Sequence, residues 1–397
     1  MFIFSIDMIR KYLYAAFVHL FDRFTCQCAA PVNSSPGNAA QRSLEDPVES
    51  QAKKAGVDLD ALKAGGFIKE VGKEMFTVRL RIPGGRVPVS RLKKIVEVAE
   101  KYGGEFVHLS LRQAIELVHV NFKHLDDVTR ELGLADQGIA SCGARVRVPV
   151  ACGGCEYNPN GLVDTQKSAA EIDTALFGIE TGHHKLKVGF AGCPCDCPKS
   201  ATNDIGFQGA VRPVLDKAAC LSCGICVKAC PVGAIVNGEE KEPLFVPEKC
   251  IWCGNCINSC PSGAWQASKR GYTVRIGGKW GINPLVGTLF ATFLPESHVV
   301  DFTKEVLAWY VTNSEGLGRI RLGDLILRKG VGSLLDHLRL RFPDHIVQKT
   351  IPPRVIDTQT GLQPYPIPKE GEMCYETDNR SEGNLLPFQL LQGQAGA

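Results

Sequence analysis

The sequence has little net charge and no long hydrophobic run. It carries 45 Lys and Arg residues against 42 Asp and Glu residues, a formal charge of +3, and no extended basic tract. Nucleic-acid binding therefore has little support. The apolar opening stretch is interrupted at Asp7, Arg10 and Lys11 before the roughly 18 apolar residues of a membrane span accumulate. We expect an amphipathic helix that packs on the protein body or on a partner rather than one that associates with a membrane.

Catalytic constellations built on histidine are also missing from the sequence. None of the nine histidines has metal-ligand spacing, and no Ser/His/Asp or Cys/His arrangement suggests a nucleophilic enzyme. The adjacent His183 and His184 are typical of a polar loop. At 397 residues, with 44% hydrophobic and 22% charged residues, the chain is predicted to be a soluble globular protein of two or three domains.

Cysteine, in contrast, is abundant, with 17 residues. Disulfide frameworks belong to short secreted chains, whereas these spacings are typical of cluster ligands, which need a reducing compartment, so we predict a cytoplasmic protein. Two runs share the pattern C-x2-C-x2-C-x3-C-P, in which the fourth cysteine of each run binds the other cluster. The predicted ligand sets are Cys220, Cys223, Cys226 and Cys260 for one [4Fe-4S] cluster and Cys250, Cys253, Cys256 and Cys230 for the other. Structural zinc fits these runs poorly.

Hydrophobic periodicity gives the remaining elements. Strands are predicted over 76–82, 106–111, 114–120, 146–150, 187–191 and 272–276, and helices over 57–64, 89–102, 125–132 and 299–310. The order from the first strand to the third helix is close to a split βαβ layout, whose final strand comes from elsewhere in the chain or from a partner. Ferredoxin modules carry electrons but perform no substrate chemistry alone, so a second redox site is expected.

Several motifs stand in the order found in one family of redox enzymes. They are FTVRLRIPGG at 76–85, LRQAIELVHV at 111–120, GxRVxVxAC ending at Cys152, KLK at 185–187, GCPCDCPKSATNDIG at 192–206 and GGKWG at 277–281. Between about residues 67 and 342 the chain thus resembles the sirohaem-dependent sulfite and nitrite reductases, in particular the single-half, ferredoxin-containing sulfite reductases of the anaerobic and dissimilatory kind.

The resemblance implies an α+β protein. It would consist of a ferredoxin-like half-domain plus a sirohaem/4Fe-4S domain with an inserted two-cluster ferredoxin module. The predicted boundaries are 1–66 for an N-terminal helix and linker, 67–134 for the half-domain, 135–215 and 269–345 for the sirohaem domain, 216–268 for the insert, and 346–397 for an extended C-terminal tail. The tail is rich in proline, and we expect it to wrap over a neighbour or to be disordered.

The family holds a further 4Fe-4S cluster with one Cys pair and a C-x3-C pair, whose last sulfur also bridges to the sirohaem iron. By resemblance, Cys193 and Cys197 form the second pair, and Cys197 is the axial bridge. The first pair departs from the family's C-x5-C pattern, because Asn158 stands at the second position. We predict that Cys152 and Cys155 serve instead.

Three other cysteines have no assigned place in this cluster. Cys195 is the reserve candidate for its fourth ligand, whereas Cys142 and Cys374 are interpreted as free thiols. The predicted cofactors are therefore sirohaem and three [4Fe-4S] clusters.

Cations in the same motifs are expected to surround the macrocycle and its substrate. Sirohaem is a polycarboxylate and sulfite is an anion, so a site screened from water needs paired positive charge. The R-x-R and K-x-K patterns each place two cations on one strand face, although a solvated face is the alternative for an isolated pair. By motif match the substrate-binding cations are Arg79, Arg147, Lys185 and Lys187, the sirohaem partner is Arg112, and the further candidates are Arg81, Arg145 and Lys279.

The resemblance implies six-electron reduction of sulfite to sulfide, fed through the insert. The expected partners are sulfite or a similar small oxyanion, an electron-donor protein or subunit, and a second similar subunit in a homodimer or heteromer. Two alternatives stay open. One is an ammonia-forming nitrite reductase with the same pocket, and the other is a non-catalytic electron-transfer or sensing subunit whose sirohaem pocket is vestigial.

Overall fold

The computed structural model describes residues 58–71, 74–350, 353–357 and 361–362. The predicted N-terminal amphipathic helix, Cys374 and most of the C-terminal tail lie outside these residues. Among the helices of the described part, none is long and apolar enough to cross a membrane.

The first unit is a four-stranded sheet with helices packed on it. Its elements in chain order are α1 (Leu59–Ala64), β1 (Phe67–Lys69), β2 (Met75–Arg79), α2 (Val89–Tyr102), β3 (Val107–Leu109), β4 (Ile115–Asn121) and α3 (Leu125–Gly133). The strands lie in the order β1-β2-β4-β3, and every neighbouring pair is antiparallel. The strand that the split βαβ prediction lacked is therefore β1, which comes from this chain.

Apolar spacing determines where the core of this unit forms. On α2 the buried residues are Ile95, Val98 and Ala99, which stand three and four positions apart and so share one face. They pack with Val78 of β2 and Leu117 of β4, both almost fully buried. The helix ends at Gly103, whose N–H donates to the carbonyl of Ala99. The bounds of α2 agree with the sequence prediction at both ends.

The rest of the described chain adds ten strands and seven α-helices. The strands are β5 (Val150–Ala151), β6 (Val188–Ala191), β7 (Ile205–Leu215), β8 (Ile235–Asn237), β9 (Pro243–Phe245), β10 (Trp265–Ile276), β11 (Leu285–Val286), β12 (Thr288–Leu294), β13 (Arg354–Asp357) and β14 (Gly361–Leu362). The helices are α4 (Gly154–Tyr157), α5 (Thr165–Leu176), α6 (Ile225–Ala229), α7 (Asn255–Asn258), α8 (Val299–Ser314), α9 (Leu322–Lys329) and α10 (Gly332–Arg339).

The second sheet has five strands in the order β12-β10-β7-β6-β5. Strand β6 runs parallel to its neighbours β5 and β7. Strand β10 runs antiparallel to its neighbours β7 and β12. The strand predicted over 146–150 is shorter in the structure, because Pro149 has no N–H for a ladder hydrogen bond and regular pairing starts at Val150. Val146 makes only an isolated bridge to Leu186.

The largest core of the described residues lies between this sheet and helices α5, α8, α9 and α10. Phe190 of β6 and Phe207 of β7 stack with their ring centroids 4.9 Å apart. Tyr272 and Phe302 meet Phe207 edge-on. This packing fixes the position of β6, and therefore also the position of the residues directly before and after this strand.

The cysteine-rich insert leaves and rejoins the second sheet at one point. Leu215, the last residue of β7, pairs with Trp265, the first residue of β10. The residues between them form the β8–β9 hairpin and the short helices α6 and α7. Both helices follow a glycine in the left-handed region, Gly224 and Gly254. The duplicated sequence therefore produces a duplicated local conformation.

The described part of the C-terminal tail pairs with its own chain. Strand β13 pairs antiparallel with β11, and β14 pairs antiparallel with β13.

Candidate functional site

A cavity of about 390 Å³ lies where the first unit meets the second sheet. The end of β2, the turn before β4 and the segments that lead into β5 and β6 form its wall. Its lining includes five cations that the sequence motifs single out, namely Arg79, Arg112, Arg147, Lys185 and Lys187. Residues from four separate motifs therefore converge on one space, although their roles stay predictions.

Few carboxylates balance these cations. Nε of Arg79 donates to Oε1 of Glu116, its cross-strand partner, at 2.6 Å. Among the described residues, Arg112 donates only to neutral acceptors, at 2.9 Å to Oδ1 of Asn203 and at 2.8 Å to the carbonyl of Val148.

The other three cations likewise form no ion pair within the described residues. Arg147 donates to the carbonyls of Ser141 and Gly143. Within the described residues, the ammonium groups of Lys185 and Lys187 form no ion pair. The cavity wall therefore carries more positive than negative charge.

Burial and mutual repulsion shift the acidity of these groups. Burial lowers the pKa of Lys187 to about 8, and the nearby Arg112 and Arg321 add to this shift. Burial also lowers the pKa of Arg112 to about 10, opposed by Asp204 and supported by Arg147 and Arg79. The pKa of Lys185 is lowered by burial and by neighbouring arginines. Positive charges crowded in this way attract an anion, so the wall fits a polycarboxylate macrocycle together with a small oxyanion.

One charged pair beside the cavity escaped the sequence reasoning. Arg321 and Asp204 are both buried and form a two-point ion pair. Asp204 also accepts from the backbone N–H of Lys187. Two signals could have indicated the pair, because Asp204 belongs to the motif at 192–206 and Arg321 belongs to an R-x-R pattern at 319–321.

Arg81 and Lys279 have different surroundings from those predicted. Nε of Arg81 donates to Asp173 of α5 at 2.8 Å, and its guanidinium lies over the ring of Phe177. The alternation of buried and half-buried residues continues past the end of β2 to Ile82, so Arg81 stays half-buried, but its side chain is held by Asp173. Nζ of Lys279 donates to Asp324 of α9 at 2.6 Å. The cavity lining includes neither side chain.

Arg145 is likewise paired away from the cavity. Its Nη2 donates to Oε1 of Glu180 at 3.0 Å.

The insert groups its eight cysteines in the two sets that the sequence predicts. One small cavity is lined by Cys220, Cys223, Cys226 and Cys260, and another by Cys230, Cys250, Cys253 and Cys256. Burial raises the pKa of Cys250 and of Cys256 to about 12. Several thiolates buried side by side are stable only with a cationic partner, which fits an iron–sulfur cluster. Ligation itself stays a prediction.

The cysteine side chains of the described residues do not form a site for a single metal ion. In the described part of the chain, no group of three or more Cys, His, Asp or Glu side chains is placed to hold one metal ion.

The cysteines predicted for the third cluster divide into two environments. Sγ of Cys152 accepts from the N–H of Gly192 at 3.0 Å, which places it beside Cys193. Burial raises the pKa of Cys193 to about 11, and the Cys195 and Cys152 thiols add to this shift. The structure thus brings the Cys152 and Cys195 thiols near Cys193, and both Cys195 and Cys197 are exposed in the same loop.

The Cys155 thiol has acidic neighbours. Burial raises the pKa of Cys155, and the carboxylates of Asp164 and Glu296 raise it further. Arg270 opposes this effect, and ligation of a cluster by Cys155 stays a prediction.

Close backbone packing holds the two cysteine loops against each other. A Cβ added to Gly192 would lie 2.8 Å from Cα of Gly154, and one added to Gly209 would lie 2.3 Å from the carbonyl oxygen of Gly192. Only glycine permits approaches this short. Glycine at 154, 192 and 209 therefore fixes the separation between Cys152 and Cys193.

The insert touches the loop that carries Cys193. Leu162, Cys193 and Val211 form a small buried cluster, and Ile257 of α7 packs against it. The adjacent Cys256 belongs to the set that includes Cys253. Burial raises the pKa of Cys253, and Cys195 is among the neighbours that raise it further. The second cysteine set of the insert therefore lies against the loop with Cys193 and Cys195.

Comparison with known proteins identifies the two units. A model of the nitrite/sulfite reductase ferredoxin-like half domain matches residues 68–135, and a model of the nitrite and sulphite reductase 4Fe-4S domain matches residues 142–346. The solved structure of dissimilatory sulfite reductase I has a TM-score of 0.57 at 20% identity, covering 73% of this chain and 79% of that one. The predicted fold, a ferredoxin-like half-domain followed by a 4Fe-4S domain, is confirmed.

Two similar sequences extend over most of this chain. The coenzyme F420-dependent sulfite reductase of Methanocaldococcus jannaschii is 33% identical over 69% of this chain. The matched region covers only 44% of the length of that protein. A subunit of the anaerobic sulfite reductase of Salmonella typhimurium is 29% identical over 74% of this chain and 90% of its own length. The resemblance seen in the sequence motifs is confirmed, and the chain belongs to the nitrite and sulphite reductase family.

Proposed function

We propose that the chain reduces sulfite to sulfide at a sirohaem held against the cationic cavity. The observation that carries this proposal is the convergence of Arg79, Arg112, Arg147, Lys185 and Lys187 on one space with few balancing carboxylates. The two relatives described above are named for sulfite reduction. Their names favour sulfite over nitrite as the anion that enters this cavity.

The cations divide between cofactor and substrate. When bound, sirohaem supplies the iron centre that passes electrons to sulfite. Arg112 is the cation we assign to its carboxylates, because Arg81 and Lys279 are already paired with Asp173 and Asp324. An arginine fork matches a carboxylate with two parallel hydrogen bonds.

The substrate side combines two arginines with two lysines. Arg79 and Arg147 bind the oxygens of sulfite, since a guanidinium keeps its charge and its planar geometry. Lys185 and Lys187 donate protons to oxygens that leave as water. The lowered pKa of Lys187, about 8, makes it the readier donor at neutral pH, because a catalytic acid works best when its pKa lies near the ambient pH.

Electrons reach the site through the insert. We assign three [4Fe-4S] clusters, two to the cysteine sets of the insert and one to the loop cysteines around Cys193. The set with Cys253 and Cys256 lies against the Cys193 loop, so it is the inner cluster. The set with Cys220 and Cys223 is the outer cluster, which receives electrons from a donor protein. This order supports a single path from the surface to the cavity.

The assembly is part of the proposal. The Salmonella relative is named as a subunit of its reductase rather than as the whole enzyme. We expect this chain to join a second similar subunit, as a homodimer or a heteromer, and an electron-donor subunit in a reducing cytoplasm. Native mass spectrometry of the anaerobically purified complex measures its composition, and a protein that stays a single chain contradicts this assembly.

Two measurements test the function. Anaerobically purified protein should show a sirohaem absorption band, and its kcat/KM with a reduced dye should be higher for sulfite than for nitrite. A protein with only the insert clusters and no sirohaem band would be an electron-transfer or sensing subunit. A kcat/KM that is much higher for nitrite would make the chain a nitrite reductase instead.

A further inference from the structure

The cavity wall contains one thiol that has no role in the proposed function. Cys142 is buried, with 3% of its surface exposed, and it lines the cavity. Nη1 of Arg79 lies 3.3 Å from its Sγ and donates to it. The backbone N–H of Cys142 donates to the carbonyl of Ala64 at 3.0 Å, which ties this turn to the end of α1.

Arg147 holds the same turn from its other side. Nη1 of Arg147 donates to the carbonyl of Ser141 at 3.1 Å, and Nη2 donates to the carbonyl of Gly143 at 3.0 Å. These are the residues on either side of Cys142. Gly143 has a φ of +76°, a conformation that glycine adopts most readily. Arg79 and Arg147, which are distant in sequence, therefore meet at this one turn.

We propose that Cys142 is a positioning residue that orients Arg79, and through the turn Arg147, toward the substrate oxygens. This inference rests on the proposed function. A guanidinium has five N–H donors. Arg79 uses one on Glu116 and one on Cys142, which leaves three for an anion. The thiol sets the direction in which those three donors point.

A thiol suits this task because it orients a cation without neutralising it. A thiol is a weak, uncharged acceptor, so it neutralises none of the charge that Arg79 retains beside Glu116. A carboxylate at the same position would pair with the arginines and compete with the incoming anion. A valine would fill the volume but leave Nη1 of Arg79 without an acceptor.

Three variants of the holoenzyme separate these effects. Cys142→Val should raise the KM for sulfite roughly tenfold and change kcat by less than about threefold, because a hydrogen bond to a charged group is lost. Cys142→Ser keeps a neutral acceptor and should stay within about threefold of the wild-type KM. Cys142→Asp should raise KM by roughly 100-fold, because its charge opposes anion binding.

A second measurement requires no turnover. Phenylglyoxal labels accessible arginines, and peptide mass spectrometry gives the labelling rate of Arg79 relative to Arg130, an exposed residue of α3. Arg79 should react several-fold faster in Cys142→Val than in the wild type or in Cys142→Ser. In Cys142→Asp it should react more slowly than in the wild type, so this variant provides the test if the valine protein does not assemble.

Equal labelling of Arg79 in the wild type and the variants would overturn the positioning role, whatever their activities. A different result would overturn the proposed function. If the wild-type protein reduces no sulfite while the labelling of Arg79 still depends on residue 142, the orientation of Arg79 by Cys142 stands and only the assigned reaction falls.

Discussion

Arg321 and Asp204 form a buried ion pair with two contacts, Nε to Oδ1 at 3.0 Å and Nη2 to Oδ2 at 2.7 Å. The same Oδ2 accepts from the backbone N–H of Lys187 at 2.8 Å. The pair therefore ties the segment before β6 to the segment before α9. The negative charge of Asp204 is thus already balanced by Arg321 before any anion enters the cavity.

Replacing Asp204 by Asn should destabilise the protein strongly. The change leaves the Arg321 guanidinium buried without its counter-charge, at a cost of about 3–5 kcal/mol. Denaturant unfolding followed by circular dichroism measures the loss. The matched control is Asp336→Asn, which removes an exposed partner of Arg339 and should cost less than about 1 kcal/mol. Equal losses in the two variants would show that the buried pair has no special role.

Removing the charge of Lys185 should weaken catalysis. Lys185→Met takes away an ammonium group of the cavity lining that has no carboxylate partner among the described residues. Loss of one charge-assisted hydrogen bond predicts a fall in kcat/KM for sulfite of roughly 10- to 100-fold. Lys304→Met, at an exposed position of α8, should leave kcat/KM unchanged. A Lys185 variant as active as this control places the substrate elsewhere.

The pH dependence should report the Lys187 ammonium. A lysine with a lowered pKa is charged below that value and neutral above it, so anion binding and proton donation weaken as the pH rises through about 8. Carboxylates of the macrocycle near Lys187 raise the pKa of its ammonium group, so they shift this fall in activity to higher pH. In Lys187→Arg the charge persists, so the ratio of variant to wild-type kcat/KM should rise with pH. Ionisation of sulfite cancels in this ratio, and a ratio independent of pH contradicts the role of Lys187.

The exchange of fourth ligands in the insert can be tested with paired substitutions. Cys260 lies with Cys220, so Cys220→Ser combined with Cys260→Ser should remove one cluster. Cys230 lies with Cys250, so Cys220→Ser combined with Cys230→Ser should remove both insert clusters. Iron and acid-labile sulfide analysis counts the clusters that remain. The opposite result would mean that each run binds its own cluster.

The sequence was most informative where the relevant contacts are local or follow a fixed spacing. The helix at 89–102 follows from apolar residues that are close neighbours along the chain, and the cysteine sets follow from a duplicated run. The Asp204–Arg321 pair joins positions 117 residues apart, so each residue belongs to a local pattern but no single pattern contains both. The contact of Arg81 with Asp173 was not predictable for a related reason, since Asp173 is on a helix whose placement depends on the whole second sheet.

Cys155 shows a different limit of the sequence argument. Proximity to the missing ligand position makes it the natural replacement, and this ligation stays a prediction. In the structure its neighbours are Asp164 and Glu296. Cys195, which the spacing alone left as a reserve, lies beside Cys193.

The measurement that tests the central claim most directly is the product stoichiometry of the anaerobically purified protein. With a one-electron dye as reductant and sulfite as substrate, the account predicts that sulfide forms and that six dye molecules are oxidised for each sulfide, as six-electron reduction requires. Consumption of dye without sulfide, or no consumption by protein that contains sirohaem and its clusters, would contradict it.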